Sequence, residues 1–219
     1  MLLRNLQALL ATLYGTGVPA DVVEYLVTDA ASLHRWEPPG TSREMEEKLL
    51  IQEVGGELGM ALYLDAALLE RLSAADPRQR LCGRNLGDFC TVLEGISHFN
   101  YVAWCAARDQ AVTLLELEMQ AEIDKYVGAR LLLTEQQGSD LDGRLFESLF
   151  AAPSFDHALQ PDELERYREA CSFAKRYCRS LESRFPARRF VPGMVRELRA
   201  FYRLPQPAKI SHIHSAVFS

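Results

Sequence analysis

The sequence predicts a mainly α, helical bundle-like domain with a central helix pair and one small β-hairpin at about residues 49–64. Three observations predict it. Residues 86–133 carry apolar side chains on more than one helical face, and a helix that is apolar on two sides is interior. Apolar residues recur at spacings of three and four along most of the remaining chain. At Gly55 and Gly56, two turn residues are flanked by alternating apolar positions, which is a hairpin pattern. A chain of 219 residues is long enough for a single domain with one substantial core.

Residues 1–36 read as a helical hairpin. Leu2, Leu6, Leu9 and Leu13 share one helical face, and Gly15 follows where a helix C-terminus favours glycine. Pro19 then suits the first turn of a second helix. Val22, Val23, Leu26, Val27, Ala30 and Leu33 form its apolar face, with Asp21 and Glu24 at its positive end and His34 at its negative end. Trp36 to Gly40 is a rigid turn, and Thr41 with Glu44 has capping-box spacing for a short helical turn.

Between Leu49 and Leu72 helix and strand compete. A helix would carry two adjacent glycines at a cost of roughly 2 kcal/mol relative to alanine. A hairpin pairs Val54 with Glu57 instead, and sets Leu49 and Ile51 on the face of Leu58, Met60, Leu62 and Leu64. That face requires helices beneath it, because an isolated hairpin is barely stable. Asp65 then caps a short helix containing Leu68, Leu69 and Leu72.

The central pair follows, broken near Arg108 and Asp109. Phe89, Leu93, Ile96, Ala103 and Ala107 align on the first helix; Val112, Leu115, Met119, Ile123, Tyr126 and Arg130 align on the second. Leu114, Leu117 and Ala121 lie nearly opposite that second face. The segment TEQQGSDLDG reads as an exposed loop, Leu145 to Phe150 as a short helix, and Pro153 to His157 as another loop.

Residues 161–204 form the basic C-terminal helices. From Pro161, a heptad-like seam runs through Leu164, Tyr167, Cys171, Ala174, Cys178, Leu181 and Phe185. A seam this short packs on its own core, a homodimer interface being the alternative. Pro192 starts a last helix through Val195, Leu198 and Tyr202, stopped by Pro205 and Pro207. Residues 205–219 form a docking tail whose Ile210, Ile213, Val217 and Phe218 suit an apolar surface on this chain or a partner. In an extended tail His212 and His214 would point the same way, as a ligand pair does.

Polar groups on an interior helix must be paired, neutralised or bound to a metal. Glu94, His98, Tyr101 and Cys105 form one stripe at spacings of four, three and four, and Glu118 and Glu122 form a second. Facing stripes would converge Glu94, His98, Glu118 and Glu122 as ligands of a divalent metal. The spacing departs from the Glu-x-x-His repeat of di-iron bundles. The plainer alternative is a solvated edge in which Lys125 pairs with Glu122.

Charged residues make up 25% of the chain and apolar residues 48%, as in folded soluble proteins. Five cysteines with no Cys-x-x-Cys pair favour a reducing compartment and free thiols. Arg4, Asn5 and Gln7 interrupt the N-terminal apolar run, so a signal peptide is not expected. No segment reaches the roughly 18 apolar residues of a membrane span. A cytoplasmic location follows.

The net charge of −6 conceals an asymmetry: from Pro161 to Lys209 there are 12 basic and 6 acidic residues, against 12 and 24 elsewhere. The basic third suits an acidic partner or the acidic remainder of its own fold. Nucleic acid is disfavoured, since recognition motifs are absent and the whole is acidic. There is no P-loop, no Gly-x-Gly-x-x-Gly after a strand, no Gly-x-Ser-x-Gly and no His-Glu-x-x-His. These features together predict a non-enzymatic accessory, scaffolding or protein-interaction role without a cofactor. The competing expectation is a helix-bundle metal site, supporting metal-dependent hydrolysis or redox chemistry.

Overall fold

A computed structural model describes residues 2–17, 20–33, 45–55, 57–136, 139–141, 143–151, 159–186 and 190–215. Its order is α1 (Leu2–Tyr14), a 3-10 turn (Val22–Tyr25), β1 (Leu26–Val27), α2 (Ala30–Leu33), β2 (Glu47–Val54), β3 (Glu57–Leu64) and α3 (Ala66–Ala74). Then come α4 (Leu86–Ala106), α5 (Leu114–Glu135), α6 (Leu145–Phe150), α7 (Pro161–Arg184), α8 (Pro192–Tyr202) and α9 (Gln206–Ser215). The protein is mainly α-helical with a small sheet. No helix among the described residues is long and apolar enough to cross a membrane.

Helices α4 and α5 are the centre of the core, as their two-sided apolar pattern requires. Phe89, Leu93, Ile96 and Phe99 of α4 and Met119, Ile123 and Val127 of α5 have no exposed surface. Between the two helices the chain reverses through Asp109, which adopts a positive φ of 51°. Thr113 caps α5 by accepting from the Glu116 amide. Gly128 brings the pair close: a Cβ there would lie 2.6 Å from Leu93 Cδ2.

The hairpin forms in the expected register, Val54 opposite Glu57, Ile51 opposite Met60 and Leu49 opposite Leu62. Gly55 takes the left-handed conformation that the turn needs, with φ +64°. Leu62 and Leu64 are buried against the helices, and Leu50, Ala61 and Tyr63 pack with Leu33 on the other face. Asp65 caps α3 through the amides of Ala67 and Leu68.

The helical hairpin expected over residues 1–36 is only half right. Helix α1 ends at Gly15 with φ +63°, as expected, and Arg199 and Arg203 donate to its terminal carbonyls at Thr12, Leu13 and Tyr14. The second helix does not form as one element: Val22–Tyr25 is a 3-10 turn and only Ala30–Leu33 is α-helical. Leu26 and Val27 pair in parallel with Leu62 and Tyr63, making a three-stranded sheet of order β1-β3-β2. A strand edge was available there, and β-branched Val22, Val23 and Val27 give little up by leaving a helix. Pro19, Trp36 to Gly40, Thr41, Glu44 and the loop Pro153 to His157 lie outside the described residues.

The seam of α7 lies on its own core, where Cys171, Ala174, Cys178 and Leu181 are buried. The loop after α5 is not simply exposed. Gln136 accepts from the Leu81 amide and donates to the Pro77 carbonyl, and buried Ser139 donates to the Leu81 carbonyl. The tail is not extended either, since residues Gln206–Ser215 form α9 with Pro207 in its first turn. All five cysteines are free thiols.

Candidate functional site

The two polar stripes converge in part. Glu94, His98 and Glu118 each present a donor atom within 4.8 Å of the others, a carboxylate–imidazole–carboxylate group at the α4–α5 seam. Glu94 and His98 are one turn apart on α4, and Glu118 comes from α5. Glu122 lies outside that group; its carboxylate accepts from Lys125 Nζ at 2.5 Å, and Lys125 links it to Glu94 at 3.0 Å. The solvated-edge alternative is therefore correct about the Glu122–Lys125 pair but not about Glu118, which is 6% exposed.

Glu47 is the residue that sequence reasoning missed. It sits at the start of β2, and its carboxylate lies 3.6 Å from His98 Nδ1, while Glu118 Oε2 lies 3.6 Å from Nε2. At that separation neither contact is a hydrogen bond. His98 Nε2 and Glu47 Oε1 are buried atoms with no hydrogen-bond partner. Gly95 makes room for the strand carboxylate, because a Cβ there would stand 2.9 Å from Glu47 Oε1 and 2.8 Å from Leu62 Cδ1. Alternation could have found Glu47: it has the parity of Leu49, on the face whose Leu62 and Leu64 meet the helices.

The electrostatics follow from burial and pairing. Burial alone would lower the His98 pKa, but the Glu118 and Glu47 carboxylates outweigh it and hold the imidazole well above its ordinary value. Burial raises Glu47, partly offset by His98. Burial also works against Glu94, yet Lys125 and His98 hold its pKa below the ordinary value. Glu122 is raised by burial in spite of Lys125. Four acidic side chains, Glu47, Glu94, Glu118 and Glu122, thus cluster around Lys125 and His98.

Tyr101 and Cys105, the other half of the α4 stripe, belong to a second network. Tyr101 donates to Glu116 at 2.6 Å, and Lys209 of α9 donates to Tyr101 at 2.7 Å and to Gln120 at 3.1 Å. Asp124 accepts from Ser97 at 2.6 Å, from Gln120 at 2.9 Å and from Tyr14. Glu116, Gln120 and Asp124 recur every four residues on the side of α5 away from Glu118 and Glu122. Helix α5 therefore carries two buried polar ribbons.

His212 and His214 do not form a ligand pair. Two residues apart on a helix they diverge, with His212 against Glu197 at 2.7 Å and His214 against Arg176 at 3.1 Å. Some basic groups of the C-terminal third pair within the fold, Arg184 with Glu197 and Lys175 with the Phe150 carbonyl, while Arg179 meets Glu147 at the surface. Comparisons with protein-family models, curated proteins and solved structures find no match.

Proposed function

We propose that the protein binds one divalent transition-metal ion through Glu94, His98 and Glu118. The observation that carries the reading is the unbonded approach of His98 Nε2 to Glu118 Oε2, at 3.6 Å. Two ligands at about 2.1 Å from a tetrahedral ion stand about 3.4 Å apart. The observed separation is thus too long for a hydrogen bond and close to a ligand–ligand edge. The gathering of four acidic side chains around two basic ones supports the same conclusion, because buried acidic groups are stable when they coordinate metal.

One imidazole with two carboxylates suits zinc, iron(II) or manganese(II). An ion bonded to α4 and α5 together would brace the central pair, which gives an accessory role a physical form without any substrate. Three protein donors leave a fourth position to water, as metal-dependent hydrolysis requires. Five free thiols favour a reducing compartment, and the partly internal pairing of the basic helices argues against nucleic acid.

Calorimetric titration of metal-stripped protein, prepared without a histidine tag, tests this with Zn²⁺ and Mn²⁺. One ion per chain, lost in His98→Ala, is the expected result. Wild-type protein that takes up no more metal than His98→Ala overturns it.

A further inference from the structure

We propose that Glu47 is the positioning residue of this centre: when the ion displaces the Nε2 proton of His98, the Glu47 carboxylate, 3.6 Å from Nδ1, closes to accept the Nδ1–H and so keeps the Nε2 lone pair facing the ion. The proposal rests on the metal-binding reading and adds to it a residue outside the ligand group. The two ring nitrogens of an imidazole point apart, so one ion is reached by one of them and the other nitrogen is left to carry the proton. Glu118, a member of the converging group, stands on the Nε2 side, and Glu47 stands on the Nδ1 side. The atoms concerned, Nε2 and Glu47 Oε1, are both buried and without hydrogen-bond partners. A carboxylate behind a ligating histidine fixes its tautomer and ring orientation.

The fold holds Glu47 there independently of the helices that carry the ligands. Its backbone lies in β2, opposite Leu64 in the antiparallel ladder. Its side chain crosses α4 at Gly95, where the helix offers no Cβ against it, as the 2.9 Å separations from Glu47 Cγ and Oε1 show. A side chain at position 95 would push the carboxylate from its place beside Nδ1 while leaving Glu94, His98 and Glu118 chemically intact.

The test uses the full chain loaded with Zn²⁺ alone. Long-range proton–nitrogen NMR of the loaded protein reports the His98 tautomer, and a competing chelator dye reports affinity. The expected spectrum is Nδ1–H with Nε2 on zinc. Glu47→Ala is expected to weaken Zn²⁺ binding about 10- to 100-fold. Glu47→Gln, whose amide oxygen still accepts from Nδ1–H, is expected to recover most of that loss. Gly95→Ala is expected to weaken binding without altering a ligand. Circular dichroism of each metal-free variant confirms that affinities are read on folded chains. Zinc on Nδ1, unchanged affinity in Glu47→Ala, or an equal loss in Glu47→Gln overturns the role of Glu47 while Glu118→Ala still abolishes binding. Wild-type protein with no affinity above that of His98→Ala overturns both the role and the reading beneath it.

Discussion

Lys209 Nζ donates to Tyr101 Oη at 2.7 Å and stands 4.3 Å from the centre of the same ring, with no exposed surface. This one side chain ties α9 into the core, since Phe201 and Tyr202 also face the ammonium and Glu116 lies 3.5 Å away. Removing one partner from a buried charge network strands the others. Lys209→Ala is therefore expected to lower unfolding free energy by about 3–5 kcal/mol, read by urea denaturation. Lys209→Met, which refills the aromatic cage without a charge, should cost clearly less. Equal losses in the two variants would show that the charge network, not packing volume, is what matters.

Asp124 gives a pH dependence of definite sign. Burial pushes its carboxyl up to about 6, against the lowering effect of Ser97, Tyr14 and Gln120. A raised carboxyl pKa means that the folded state holds a proton the unfolded chain has lost. Its contribution to stability is full below the ordinary value of 3.8 and is lost as pH rises through about 6. The size of that loss is on the order of 3 kcal/mol. Asp124→Asn cannot titrate, so the difference between wild-type and variant stability should shift in favour of the variant between pH 4 and pH 6. A pH-independent difference would show that Asp124 ionises normally in the folded chain.

Gly128 sets helix propensity against packing. Alanine would improve helix propensity by about 1 kcal/mol. Its Cβ would also lie 2.6 Å from Leu93 Cδ2 in the fully buried α4–α5 contact, and overpacking costs about 1–3 kcal/mol. Gly128→Ala is expected to be destabilising, and Leu93→Val in the same chain should relieve part of the loss. A Gly128→Ala protein that melts above wild type would mean that the two helices can separate at little cost.

What the sequence made legible is what depends on short-range pattern. The α4–α5 pair was readable because no single apolar face accounts for Leu117 and Ala121 together with Met119 and Ile123, whereas Leu114, counted on the same side, is exposed. The hairpin was readable because the Gly-Gly turn fixes a register that sets Leu49, Met60, Leu62 and Leu64 on one face, although Ile51 and Leu58 of that face are exposed. What was not legible depends on distant partners. Leu26 and Val27 become a strand only because Leu62 and Tyr63 offer an edge to them, and the periodicity of the segment alone fits a helix equally well. Glu94, His98 and Glu118 were within reach of the pattern, since i,i+4 spacing places them on stripes. Glu122 was drawn in by the same spacing, because spacing does not say which way α5 rotates. Nothing around Lys209 marks it as buried; its partners Tyr101, Glu116 and Gln120 lie about ninety residues or more away.

The rotation of α5 separates Glu118 from Glu122 and provides the sharpest check on the metal-binding reading. An ion that binds only the folded state at 100 times its dissociation constant stabilises by about 2.7 kcal/mol. For a chain of this size that raises the melting temperature by about 5–10 °C. Zn²⁺ is expected to produce such a shift, and a chelator to reverse it. Glu118→Gln should abolish the shift, because its carboxylate faces His98 Nε2. Glu122→Gln should keep the shift, because its carboxylate stands outside the converging group. It would also relax Lys125 toward Glu94 alone, a partner only 3.0 Å away. If Glu122→Gln abolished the zinc shift and Glu118→Gln preserved it, the ion would sit one turn along α5 from the group described here, and Lys125 would have to leave its place for the metal to enter.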